Sequence, residues 1–357
     1  MSKTRPAIFA LIAAAIFFAA LELALHALHF HYQRNLSYME FGYPGRAELH
    51  QVFELDPELL FRMKPGYDFG PGFGPLNQQG FRGADFQKQK PEGVLRVACL
   101  GDSVTFGTME GAYPVILEEI LNRNQAGNKF QVYNFGVPGY SSWQGKRLLK
   151  QALGQYHPDL VVISYGWNDL WLAKGFSDDE QFARPELLLT RFRDQLAKLR
   201  TYQLLNKAVA AAQLKAKKNQ PDKFRVSPDQ YRSNLEEMVR LAKASGAKVI
   251  VATRPGGFGL APLPDFFQYL GFTRDGEDLE AIHDRYNQAA ARVARDDRAQ
   301  LLDLDLIFRE RGVKNLFDKP DKDIIHPNRA GLELIAESAA QAIIISIEPN
   351  REKEDQR

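Results

Sequence analysis

From residue 94 onward, short apolar or β-branched runs alternate with longer stretches in which apolar positions recur every three or four residues. The runs VLRVACLG (94–101), FQVYNFG (130–136), LVVISYG (160–166), KVIVATR (248–254) and AQLLDLD (299–305) have the length and composition of strands. Between them, residues 112–124, 143–155, 228–244, 278–296 and 329–346 carry helical periodicity. Ser227 followed by Pro228 is a helix start, and Gly246 is a helix stop. Such alternation predicts parallel strands covered by helices on both faces. The expected fold class is therefore α/β, a flavodoxin-like three-layer α/β/α sandwich with about five parallel strands.

The N-terminal part follows another pattern. Pro6 to Leu25 is apolar except for Glu22, a length that can cross a bilayer. Lys3 and Arg5 precede the run, so the positive-inside rule puts the short N-terminus in the cytoplasm and the bulk outside. Two readings stay open, a retained N-terminal transmembrane helix or a signal peptide cleaved near Ala19 and Ala20. In both, the larger part of the chain is extracytoplasmic, on the periplasmic or cell-surface side.

Residues 26–92 are rich in Gly, Pro and aromatic residues, as in GPGFGP (70–75) and NQQGFRG (77–83), and predict a stalk followed by short strands and turns. The expected organisation is an anchor or signal peptide at 1–28, a stalk and small β/turn module at 29–92, and the main domain at 93–347. A helical insertion occupies about 170–227 and a disordered tail 348–357. Within the insertion, Leu188, Phe192, Leu196 and Leu199 recur at helical spacing among Arg191, Arg193, Lys198 and Arg200. That helix either packs on the domain with a solvated basic face or touches an anionic lipid or polymer.

Composition changes this picture little. The 357 residues are 45% hydrophobic and 25% charged, as in ordinary globular proteins. A formal net charge of +2 gives no reason to expect a nucleic-acid partner, and no nucleic-acid-binding motif is present. Cys99 is the single cysteine, so no internal disulfide can form, and its apolar surroundings predict a buried strand residue.

The chemistry lies at the strand ends. In an open parallel sheet, ligands bind beyond the carboxyl ends of the strands where strand order reverses. Ser103 in CLGDSVTFG follows the first strand, Gly136 and Gly139 in NFGVPGYSS follow the second, and Asn168 and Asp169 in SYGWNDLW follow the third. A serine needs a base within hydrogen-bond reach, and the base needs a group that fixes its tautomer. Of seven histidines, His326 in DKDIIHPNRAG stands between the fifth strand and the last helix, where a loop can reach Ser103. Asp323, three residues earlier, can turn back to the imidazole; the alternative is a helix-start turn capped by Asp323. Backbone N–H groups of Ser103 and Gly139 and the side-chain amide of Asn168 are the natural donors for an oxyanion.

The segments GDSVTFG, NFGVPG, GWND and DIIHPN resemble the four sequence blocks of the SGNH, or GDSL-type, hydrolases. The resemblance spans about residues 94–345. It implies a flavodoxin-like esterase with Ser103 as nucleophile, Asp323 and His326 as its partners, and Ser103, Gly139 and Asn168 as the oxyanion hole. No cofactor or metal is implied. Valine after the serine, and Trp167 in the asparagine block, depart from the common pattern without removing a catalytic group.

Competing motifs are absent or incomplete. There is no G-x-S-x-G elbow, no H-E-x-x-H cluster, and GYSSWQGKR has the wrong spacing for a phosphate loop. The expected activity is hydrolysis of an ester, an O-acetyl group on exported or cell-envelope polysaccharide first among them. Acyl transfer with the same triad, a lipid esterase or thioesterase, and a noncatalytic envelope-assembly component are the alternatives. Trp143, Trp167, Trp171 and Tyr140 are expected to stack on sugar or to line the lip of the pocket.

Overall fold

The computed structural model describes residues 4–30, 52–124, 129–173, 177–182, 196, 198–216, 223–263, 267 and 276–347. Five parallel strands form the central sheet: β3 (Val94–Gly101), β4 (Lys129–Gly136), β5 (Leu160–Ser164), β6 (Lys248–Ala252) and β7 (Gln300–Leu302). Their order is β4-β3-β5-β6-β7. From β3 the chain goes first to β4 on one side and then to β5 on the other, so the strand order reverses at β3. Gly101 at the end of β3 sits level with Gly136 of β4 and Ser164 of β5. Three loops therefore leave the sheet side by side.

The strands are apolar because both faces are covered. All five residues of β5 are buried, as are Val97, Cys99 and Leu100 of β3. On one face α3 (Tyr113–Asn124) packs with α10 (Arg329–Ile347); on the other, α7 (Pro228–Ala244) packs between α4 (Ser142–Tyr156) and α8 (Leu279–Asp296). Capping boxes start α4, through Ser141 and Gln144, and α7, through Ser227 and Gln230 with Pro228 in the first turn.

Several elements depart from the pattern read along the chain. The run 299–305 gives a strand of only three residues, because Asp303 accepts from Leu306 N–H at 3.2 Å and starts α9 (Leu304–Arg311). The runs at 160–166 and 248–254 leave the sheet two residues early, at Ser164 and Ala252. Residues 52–92 include a hairpin, β1 (Phe53–Asp56) and β2 (Leu60–Met63). Phe53, Phe61, Met63, Leu76 and Phe86 of this module join the same core as the sheet. The segment 31–51 lies outside the described residues, as does 348–357.

Two described helices are long and apolar enough to cross a membrane. One, α10, is a core helix that lies against α3 and β7. The other, α1 (Thr4–Ala27), leaves Ile8, Phe9, Leu11, Ile16 and Phe17 exposed. Of the expected insertion helix, 186–195 fall outside the described residues. Residues 200–216 form α6 (Arg200–Ala216), which packs on α1.

Candidate active site

Asp102 follows β3 and caps the short helix α2 (Ser103–Phe106), accepting from Val104 N–H at 3.0 Å. This cap puts Ser103 in the first position of α2, 8% exposed beyond the sheet. The turn is pressed against β4: a Cβ on Gly136 would stand 2.1 Å from Phe106 N, so only glycine fits there. From outside, the 52–92 module holds the same helix. Arg82 donates to the carbonyls of Phe106 (3.3 Å), Thr108 (2.8 Å), Gly111 (3.3 Å) and Gly72 (2.9 Å), and its guanidinium lies 5.0 Å from the Phe73 ring. Burial lowers its pKa from the ordinary arginine value.

The turn at 323–326 comes from the opposite end of the chain. Asp323 Oδ1 accepts from the N–H groups of Ile325 (2.8 Å) and His326 (3.0 Å), and its Oδ2 lies 2.7 Å from His326 Nδ1. Buried Ile324 and Ile325 root the turn, and Gly257 N–H donates to Ile324 C=O at 2.9 Å. His326 Nε2 is 2.7 Å from Ser103 Oγ. An ionised carboxylate only accepts, so Nδ1 carries the imidazole proton and Nε2 is left to accept from the serine hydroxyl. Burial opposes charge on both partners, yet each is outweighed by the other. The His326 pKa is raised above the ordinary histidine value and that of Asp323 is lowered.

Gly139 and Asn168 lie on the loops that leave β4 and β5 on either side of β3. Tyr140 N–H closes a turn onto Val137 C=O at 3.1 Å with Pro138 and Gly139 at its centre. Gly139 has φ +86°, as the third position of a type II turn demands. Among the described residues, neither its N–H nor that of Ser103 has a protein acceptor. Asn168 is buried and donates one amide proton to Tyr140 C=O at 3.1 Å, tying the loop after β5 to the loop after β4. Asp169 reinforces the tie: Ser142 N–H donates to its two oxygens at 2.9 and 3.1 Å, and Ser142 Oγ to Oδ1 at 2.5 Å. Burial pushes the Asp169 carboxyl up to about 7 against these hydrogen bonds.

A buried charge pair stands beneath Ser103. Arg254, two residues past β6, donates through Nη2 to Asp102 Oδ1 at 3.0 Å and through Nη1 to Ser164 Oγ. Asn287 holds its backbone on both sides, accepting from Arg254 N–H at 2.8 Å and donating to its carbonyl at 2.9 Å. The side chains of Arg254 and Asp102 are 2% and 1% exposed. An arginine closing an otherwise apolar strand was the available signal; its partner lies 152 positions away.

The aromatic expectation is overturned. Trp167, Trp171 and Tyr140 are core residues, 1%, 0% and 1% exposed. Trp167 donates to Pro255 C=O and lies against Phe258, while Tyr140 donates to Phe61 C=O. Trp143 is 5% exposed; with Lys146, Arg147, Asp179 and Asn234 it lines a cleft, none of whose lining residues is Ser103 or His326. These rings are large apolar bodies whose burial stabilises the loops, and none presents an open face for stacking on a sugar beside Ser103 and His326. Among the described residues, no cluster of His, Cys, Asp and Glu fits a metal ion.

Residues 99–334 match the model of the GDSL-like lipase/acylhydrolase family. The chain belongs to that family. An acetylxylan esterase of Xylanibacter ruminicola is 26% identical to this GDSL-like chain over 264 residues, 71% of this chain and 44% of the relative. The chain thus spans less than half the length of that protein. Among solved structures, the acetylxylan esterase Axe2 of Geobacillus stearothermophilus is 17% identical, covers 70% of this chain and 94% of its own, and has a TM-score of 0.43. A lipase/acylhydrolase from Enterococcus faecalis is 19% identical, covers 72% and 99%, and has a TM-score of 0.44.

Proposed function

We propose that this GDSL-like protein is a serine esterase that removes O-acetyl groups from an exported or cell-envelope polysaccharide. The observation that carries the reading is the unbroken chain of contacts from Ser103 Oγ to His326 Nε2 and from His326 Nδ1 to Asp323, 2.7 Å each. His326 takes the hydroxyl proton as Ser103 attacks the ester carbonyl, and Asp323 stabilises the imidazolium that forms. Negative charge then collects on the carbonyl oxygen. The N–H groups of Ser103 and Gly139 and the second amide proton of Asn168 receive it, each donor contributing roughly 3 to 4 kcal/mol to the transition state. His326 returns its proton to the leaving alcohol. Water, activated by the same imidazole, releases acetate from Ser103.

The acetyl group and the polysaccharide are supported by the acetylxylan esterase relative. Export is supported by α1, apolar over Ile8–Ala27 and preceded by basic residues. In this reading α1 anchors the chain, and the domain of residues 93–347 works on the extracytoplasmic side. Residues 52–92 serve as a brace behind α2.

The test is acetate release by the purified protein from acetylated xylan and other O-acetylated polysaccharides, with Ser103→Ala as control. Release that depends on Ser103 is the expected result. Cleavage of a simple aryl acetate without release from any glycan would sink the polysaccharide and leave the serine esterase standing.

A further inference from the structure

A carboxylate inside an apolar helix is costly in a bilayer unless it is partnered. Glu22 lies five residues before Ala27, the end of the apolar stretch, which at the helical rise is about 8 Å inside the membrane boundary. Its hydrogen-bond donors across the helix pair come from the start of α6. Arg200 N–H and Thr201 N–H each donate to it at 2.8 Å, and Thr201 Oγ1 at 2.7 Å; His26 lies 3.3 Å away on the next turn of α1. Glu22 thus serves as the N-cap of α6, meeting the unpaired donors and the positive end of its dipole. The carboxylate is satisfied only if the first turn of α6 stands at the same depth.

The rest of α6 fits that placement. At 100° per residue, Tyr202, Leu205 and Val209 share one side and Gln203 and Lys207 the other. Gln203 is buried, and Lys207 Nζ lies 5.7 Å from the ring of Phe30, just past α1. The opposite side carries exposed Leu205 and Val209, 58% and 44% accessible. Leu23 of α1 and Leu28 just past it are exposed as well.

We infer that α6 is a second membrane element of this protein, its first turn sunk into the outer leaflet beside α1 and its Leu205–Val209 side turned to lipid. The inference rests on reading α1 as a retained anchor. The depth is that of interfacial amphipathic helices, which lie about 5–10 Å into the boundary between headgroups and acyl chains. The lysines and arginines around it, Lys198, Arg200 and Lys207, then stand at headgroup level. Two contacts fix the orientation of the catalytic domain over the membrane where α1 alone would leave it free to swing.

Single cysteines at Leu205, Val209 and, as control, exposed Arg295 at the far end of α8 test this in the full chain in phospholipid vesicles. Native Cys99 is buried and its thiol is pushed up to about 12 by desolvation, so it does not compete for label. With an environment-sensitive dye, positions 205 and 209 should be quenched severalfold more by lipids carrying a quencher near the headgroup than position 295. Glu22→Ala should reduce that difference. Equal, weak quenching at all three sites in a chain whose N-terminal mass is intact overturns the inference and leaves the anchor. Loss of the N-terminal segment from the mature protein overturns the anchor as well. Protection that rises with protein density, with no quenching by lipid, would assign this side to a second copy and overturn the lipid contact.

Discussion

The two turns that meet at the Ser103–His326 contact are built in opposite ways. The His326 turn is local: Asp323, Ile325 and His326 satisfy one another within three positions, and the Asp323 side chain is 43% exposed. The Ser103 turn is assembled from distant parts. Asp102 pairs with Arg254, Phe106 and Thr108 bond to Arg82, and Gly136 lets β4 close against α2. Asp323 of the local turn acts most strongly against burial on the imidazole, with Asp102 and Arg254 of the frame acting on it as well, while the buried long-range frame sets where Ser103 stands.

Substitutions should break the two turns differently. Ser103→Ala or His326→Ala removes a reacting group, and turnover should fall by roughly 10⁶-fold with an unchanged melting transition. Asp323→Asn should cost about 10⁴-fold in kcat, because the amide favours the wrong imidazole tautomer, again with the fold intact by circular dichroism. Arg254→Met acts on the other turn. It leaves Asp102 buried without its cation, so urea unfolding should show a loss of about 3–5 kcal/mol, and turnover should fall as the α2 cap loosens. Asn168→Ala should slow kcat by about 100-fold with little change in KM, as expected of a donor used mainly in the transition state.

The smallest effect is on pH. The base works only when neutral, so activity falls as pH drops through the His326 pKa. Because the Asp323 contact outweighs burial and raises that pKa, the acid limb of kcat/KM should lie above the unperturbed value of about 6.5. In Asp323→Asn the residual activity should have its acid limb moved to lower pH. An unmoved limb would mean that Asp323 does not set the charge of the imidazole.

How much of this was legible in the chain follows from the same contrast. The sheet and its helices were readable because strands buried on both faces leave apolar runs, and the cap at Ser227 is local chemistry. Asp323 and His326 could be paired on paper because three residues separate them. Arg254 could not be paired with Asp102, nor Arg82 with the carbonyls of Phe106 and Thr108, since topology alone brings such residues together. The tryptophans misled for a related reason: an aromatic residue beside a motif reads the same whether it faces solvent or the core. The short β7 was overread because LLDLD alternates like a strand, while Asp303 is a helix cap.

The central claim is that His326 activates Ser103. Labelling the folded protein with a fluorophosphonate and locating the adduct by mass spectrometry tests it most directly, with His326→Ala and Ser103→Ala as controls. The account predicts a single adduct on Ser103, formed faster as pH rises through the His326 pKa and lost in both variants. An adduct on another serine, or one on Ser103 that forms at the same rate without His326, would contradict it.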